Sequence, residues 1–162
     1  MYEDKILITT VERLKELTSI SDNIDPTMLE PYLFSAQELY VEELLGVDMY
    51  NDVLNNIVSG TTKYNFLIKN YLDYIIAYGS WSLAAPFLNY KTQRKGIVKQ
   101  TSDYSDSVTV DEYVIYAKKI ENMVSFYIRK TYKYLNDNVS SYPLYEGSKK
   151  NTNSSSIFLG FK

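Results

Sequence analysis

Apolar side chains recur along this chain at the three- and four-residue spacing of helices, broken by short polar turns. Thr9-Thr10-Val11-Glu12 has the form of a capping box, with Thr9 at the cap and Glu12 three residues on, and predicts a short helix to about Leu17. A turn-rich stretch, Thr18 to Asn23, follows it. Asp25-Pro26 is a second start, because Asp accepts from first-turn amides and proline fixes φ at the first helical position. Leu29, Leu33, Ala36, Tyr40 and Leu44 then mark one stripe, with Glu30, Gln37, Glu38 and Glu42 off it, and Gly46 ends the helix. A third helix is predicted from about Asp48 to Val58, closed by Ser59-Gly60.

Thr61 or Thr62 opens the longest predicted run, in which Leu67, Tyr71, Tyr74 or Ile75, Tyr78, Leu83 and Phe87 share one broad face and patches of a second appear. Such a helix belongs at the centre of a bundle, kinked or thinned near its end by Gly79 and Pro86. Its stretch from Tyr71 to Tyr90 holds Asp73, Trp81, Pro86 and several tyrosines, which reads as a core helix rather than a membrane span. Between Lys91 and Thr109 the periodicity vanishes, predicting a long inter-helix loop of the kind that carries function. Thr109-Val110-Asp111-Glu112 is a further capping box and opens a last amphipathic helix to about Asn136, with Val114, Ala117, Ile120 or Glu121, Val124, Ile128 and Leu135 on its stripe. The expected architecture is all-α: a small helical bundle over residues 1–138, with a long inter-helix loop and an extended C-terminal arm over residues 139–162.

That arm holds the polar string Asn151 to Ser156, then Ile157, Phe158, Leu159 and Phe161. A polar tether ending in four large apolar side chains predicts a segment that docks on another surface. Composition narrows the chemistry further. The 162 residues include neither cysteine nor histidine. Disulfides, thiolate zinc sites, thiol nucleophiles and histidine-based triads are therefore absent, leaving carboxylate chemistry as the remaining catalytic option. Glu38, Glu42 and Glu43 crowd one helix, but a four-helix di-metal site needs a Glu-x-x-His pair, so they read as a surface acidic face. The six glycines form no phosphate-binding loop. No catalytic residue, metal or cofactor is expected, and the chain reads as a binding protein rather than an enzyme. Its acidic opening, Met1-Tyr2-Glu3-Asp4, predicts no secretory leader, so the triplets at Asn138 and Asn153 read as chance glycosylation matches.

Two further features bear on partners. Tyrosine is abundant, 17 residues, either because its ring and hydroxyl suit surfaces buried on assembly or because an AT-rich genome favours its codons. Charge is uneven: residues 1–60 carry twelve acidic and three basic side chains, whereas 61–100 carry six basic and one acidic. Opposed charge on one small body suits head-to-tail packing of identical copies. Lys91, Arg94, Lys95 and Lys99, beside Tyr90, form a basic loop able to meet phosphates without reading bases.

The Asp-Pro start, the phrases AQELYVEELLG and MYNDVLNNI, and a tyrosine-rich helix running into APFLNYKTQRKGIV, with a Ser/Asp loop and a closing amphipathic helix, resemble the head–tail connector (adaptor) proteins of tailed phages, of the crAss-like and Bacteroidetes-phage type. The resemblance covers roughly Ile8 to Asn136. It implies a structural subunit of a dodecameric ring that docks below the portal protein and extends the DNA channel toward the tail. The expected partners are then copies of itself, the portal, tail or further neck proteins, and packaged DNA passing without sequence recognition. It implies a place in the virion neck, with synthesis in the host cytoplasm and no membrane. On this reading Ile157, Phe158, Leu159, Phe161, Tyr142 and Tyr145 are candidate subunit or portal contacts, and Lys91, Arg94, Lys95 and Lys99 a candidate lumen or DNA-facing loop. The alternative is a monomeric nucleic-acid-associated regulator acting through residues 91–99.

Overall fold

A computed structural model describes residues 5–88, 90–93, 96–99 and 110–145. Five helices build it, in the all-α class that the periodicity predicts. The first, α1, is Val11–Leu17. Its cap is Thr10, whose hydroxyl accepts from the Arg13 amide at 3.2 Å, and not Thr9 as expected. Thr9 is instead buried, its side chain drawn inward beside Asp73.

Helix α2 occupies 26–45 and starts as predicted, with the Asp25 carboxylate accepting from the Thr27 amide at 2.9 Å and Pro26 in the first turn. Its course differs from the expected stripe. After Pro26–Ala36 the helix widens into π turns over Gln37–Glu42 before closing as Glu43–Leu45. A wider turn carries each residue less far round the axis. The inward positions therefore continue as Leu33, Gln37, Val41 and Leu45, all buried, while Tyr40 and Leu44 move to the flank.

Gln37, placed on the polar side by the sequence pattern, is 2 % exposed. Its carbonyl oxygen accepts from the Ile8 amide at 2.8 Å, and its amide nitrogen donates to the Ile6 carbonyl at 3.0 Å and to the Tyr50 hydroxyl at 2.8 Å. A buried amide so completely paired stabilises rather than costs. It fastens the segment before α1 and the next helix to one point. Gly46, at φ 80°, then turns the chain into α3, Val47–Val58.

The central helix, α4, spans 65–88. It begins as Asn65–Leu67, widens over Ile68–Leu72 and continues as Asp73–Leu88, so Thr61 and Thr62 lie in the preceding turn rather than opening it. Leu67, Leu72, Ile75, Ile76, Ala77, Ser80, Ala84 and Ala85 are buried, as expected of a helix at a bundle's centre. No helix among the described residues is long and apolar enough to cross a membrane.

Part of the long loop expected after α4 forms a hairpin. Tyr90–Gln93 (β1) and Gly96–Lys99 (β2) pair antiparallel, with Tyr90 opposite Lys99 and Gln93 opposite Gly96. Thr92, Ile97 and Val98 suit strands, but four residues a side are too few to show an alternation in sequence. Helix α5, Val110–Asp137, is the longest at 28 residues. Thr109, its expected cap, lies outside the described residues. Val114, expected on its buried stripe, is exposed with Ile115, because the first two turns of α5 project past the core. Ile120, Val124, Thr131 and Leu135 are buried below them.

Gly79 lets α2 pack closely against α4. A Cβ built there would stand 2.7 Å from the Tyr40 ring of α2 and 3.2 Å from the Ala36 methyl. The glycine serves proximity rather than a bend. Gly79→Ala is expected to destabilise the bundle by about 1–3 kcal/mol through overpacking, measured by urea unfolding. Tyr40→Ala in the same chain should recover part of the loss, since the two sites share one clash.

Candidate functional site

The tyrosine excess is used inside the molecule. Along α4, Tyr71, Tyr74, Tyr78 and Trp81 follow one another at three- and four-residue steps and so share a side. Helix α5 runs antiparallel to it and presents Tyr134, Tyr127 and Tyr116. Tyr71 stacks on Tyr134 at 4.4 Å, and Tyr74 and Tyr78 stack on Tyr127 at 4.7 and 5.7 Å. Trp81 meets Tyr116 edge-on, its indole nitrogen donating to the Tyr116 hydroxyl at 3.0 Å. Lys130 covers the seam, with its ammonium 5.2 Å from the Tyr71 ring and 5.6 Å from that of Tyr127. Each such ring pair adds about 0.5–1.5 kcal/mol beyond burial.

The seam continues into the segment assigned from sequence to the arm. After a single 3-10 turn, Val139–Ser141, Tyr142 stacks on Tyr64 and meets Tyr134, with the two hydroxyls 3.1 Å apart. Tyr142 and Tyr145 are buried in the core. Desolvation raises both phenols, Tyr145 to about 12. The two residues expected at a subunit or portal contact thus close the base of the bundle, which extends to Tyr145 rather than stopping at residue 138. Ring chemistry suits either setting, so composition alone did not separate them.

The remaining sequence-chosen positions fall elsewhere. Ile157, Phe158, Leu159 and Phe161 lie outside the described residues, as do Arg94 and Lys95. Lys91 and Lys99 stand on β1 and β2, opposite Val98 and Tyr90 respectively, on adjacent rungs of the hairpin. Glu38, Glu42 and Glu43 lie at the surface of α2, and Glu38 pairs with Lys5 at 3.3 Å. No group of three metal-ligating side chains gathers among the described residues.

Among the described residues, one carboxylate is buried. Asp73 on α4 faces Arg13 of α1, with Nε 3.3 Å from Oδ2, and Arg13 also reaches Glu16 at 2.9 Å. Burial raises the Asp73 carboxyl above the ordinary aspartate value, while Thr9 and Arg13 act against the rise. Its role is to join α1 to α4. A shallow groove of about 330 Å³ lies nearby, lined by Leu17, Tyr78, Trp81, Tyr116, Lys119 and Met123 among others. Among the described residues, its charged groups are Glu16 and Lys119, one of each sign.

Among the described residues, two exposed surfaces combine apolar and charged side chains, while Met28, Val58, Phe66 and Phe87 are exposed elsewhere. At the corner of α2 and α3, Leu39 and Val47 are exposed among Glu38, Glu42, Glu43 and Asp48. Along α5, Ile115 and Phe126 are exposed among Lys118, Lys119, Arg129 and Lys133. Charge counts along the sequence find the acidic excess of residues 1–60 but place the basic excess in 61–100, not on α5, whose basic side only the helix geometry shows.

A family model matches residues 41–155, more than half of the chain. The chain belongs to DUF6712, a family of unknown function. The DUF6712 match takes in the end of α2, then α3, α4, the hairpin, α5 and Tyr142 with Tyr145, and therefore the whole ring seam. No curated protein and no solved structure matches this DUF6712 chain.

Two outcomes test this account. Tyr142→Ala and Tyr145→Ala should each destabilise the isolated chain by about 3 kcal/mol in urea unfolding; residues serving only a partner contact would leave monomer stability unchanged. For Asp73, the folded state keeps its proton to higher pH than the unfolded chain does. Its contribution to stability therefore falls as pH rises from the ordinary carboxylate range, about 4, through the raised value. The stability of wild type relative to Asp73→Asn should fall across that window; a relative stability independent of pH would refute the buried-carboxylate account.

Proposed function

We propose that the chain is a structural subunit of a phage head–tail connector, assembling as a ring of copies beneath the portal and extending the DNA channel toward the tail. The observation that carries this reading is the order of elements against the connector-like phrases. The Asp25-Pro26 start leads into α2, which ends at Leu45-Gly46. Helix α3 holds the second phrase, and the tyrosine-rich α4 runs into a basic hairpin before the long α5. The chemistry of the bundle is consistent with it: the stacked rings between α4 and α5 and the buried Gln37 and Asp73 serve packing, and exposed apolar residues stand beside acidic side chains on α2 and α3 and basic ones on α5.

In this role affinity comes from many copies of one modest contact. Packaged DNA passes without sequence recognition, and the basic hairpin is the element suited to face it. The place of action is the virion neck.

The test is to mix the chain with a portal protein of the same phage and to image the product by electron microscopy. Rings stacked on the portal are expected. A chain that ignores the portal at every concentration, yet binds duplex DNA as a monomer with steep salt dependence, would instead be the nucleic-acid regulator. Truncation after Ser148 should leave unfolding unchanged, since Tyr142 and Tyr145 remain, while reducing ring yield on the portal. Loss of the fold on truncation would refute the division between bundle and arm.

A further inference from the structure

We propose that the acidic corner of α2 and α3 on one copy docks against the outer stripe of α5 on the next. This deepens the ring reading and rests on it for the assembly concerned. Positions 115, 118, 122, 126, 129 and 133 follow at three- and four-residue steps and so form one side of α5. That side carries Lys118, Arg129 and Lys133, flanked by Lys119, around Ile115 and Phe126, which are 58 % and 49 % exposed. Four acids lie on the helix: Asp111 and Glu112 one turn before Ile115, Asp137 one turn after Lys133, and Glu121 between them, whose field acts on Tyr40 of α2.

The corner is its counterpart. Leu39 and Val47, 57 % and 56 % exposed, are set among Glu38, Glu42, Glu43 and Asp48. Among the described residues, Glu42, Glu43 and Asp48 have no ion-pair partner, and neither do Lys118, Lys119, Arg129 or Lys133. Each surface thus has two exposed apolar residues beside charges without ion-pair partners, predominantly acidic at the corner and predominantly basic along the stripe. Within one chain they lie on different helices and face solvent. A second copy brings them together.

A second copy fits better than nucleic acid. Phosphates offer nothing to Ile115 and Phe126, and the acidic corner of a chain with net charge -3 repels a polyanion. Two unlike patches meeting make a heterologous contact, which propagates from copy to copy and closes when the rotation per copy divides a full turn. Complementary potential fixes the register and penalises like-on-like pairing.

The experiment uses the full chain at low salt, with mass measured by light scattering across a concentration series. Wild type is expected to self-associate, and to do so less as salt rises. Glu43→Lys with Asp48→Lys, or Arg129→Glu with Lys133→Glu, should each weaken association by about tenfold or more. All four positions are exposed, and unchanged circular dichroism checks the fold. An equimolar mixture of the two double variants should associate better than either alone, because reversed corner then meets reversed stripe. Association that ignores both reversals overturns this contact while leaving the ring reading to the portal test. A wild type that stays monomeric throughout also overturns it, whether or not its stripe binds a DNA duplex. Charge-dependent association in a chain that ignores the portal would uphold the contact and refute the neck assignment.

Discussion

Helix α4 is buried on nearly every side, so its neighbours must be fitted to it from two directions, and the closer fit is the approach of α2 at Gly79. No Cβ can be accommodated there, because the Tyr40 ring fills the place it would take. That ring is in position because α2 widens over Gln37–Glu42. The same widening turns Gln37 inward, where it holds Ile6, Ile8 and Tyr50. One local departure from regular helix therefore fixes the contact of α2 with α4, the path of the chain before α1, and the seat of α3.

The second direction is closed differently. Towards α5, helix α4 presents large rings rather than small residues, and the two helices are joined by stacked tyrosines and a tryptophan. Rings keep the helix axes further apart than a glycine does, while their hydroxyls reach partners at the edge of the core. Tyr142 and Tyr145 complete this seam from beyond the helix. A small domain thus gains aromatic area at its margin, where aliphatic side chains would need full burial.

Because the seams consume most of the aromatic and buried polar groups, what remains outside is sorted by helix. The acidic corner lies on α2 and α3, and the basic stripe on the outer side of α5, with the hairpin following the end of α4. Asp73 is occupied with Arg13, and no gathering of ligating side chains appears among the described residues. Surfaces of opposite sign suit an assembling subunit, while the neck proposal for this DUF6712 member rests on the order of its elements.

The sequence by itself determined the helices and most of their ends. Asp25-Pro26, Gly46 and Ser59-Gly60 act through local backbone geometry, which needs no distant partner, and the three-to-four spacing of apolar residues needs only the pitch of a helix. It also determined that α4 is central and that charge is divided along the chain. Only the tertiary structure decided that Gln37 is inside and Tyr40 on the flank, since π turns leave no mark in an ideal helical count. Only packing placed Tyr142 and Tyr145 in the core, exposed Val114, and paired the strands of the hairpin. In each case the outcome depends on a contact between residues far apart along the chain, or on a segment too short for any period to show.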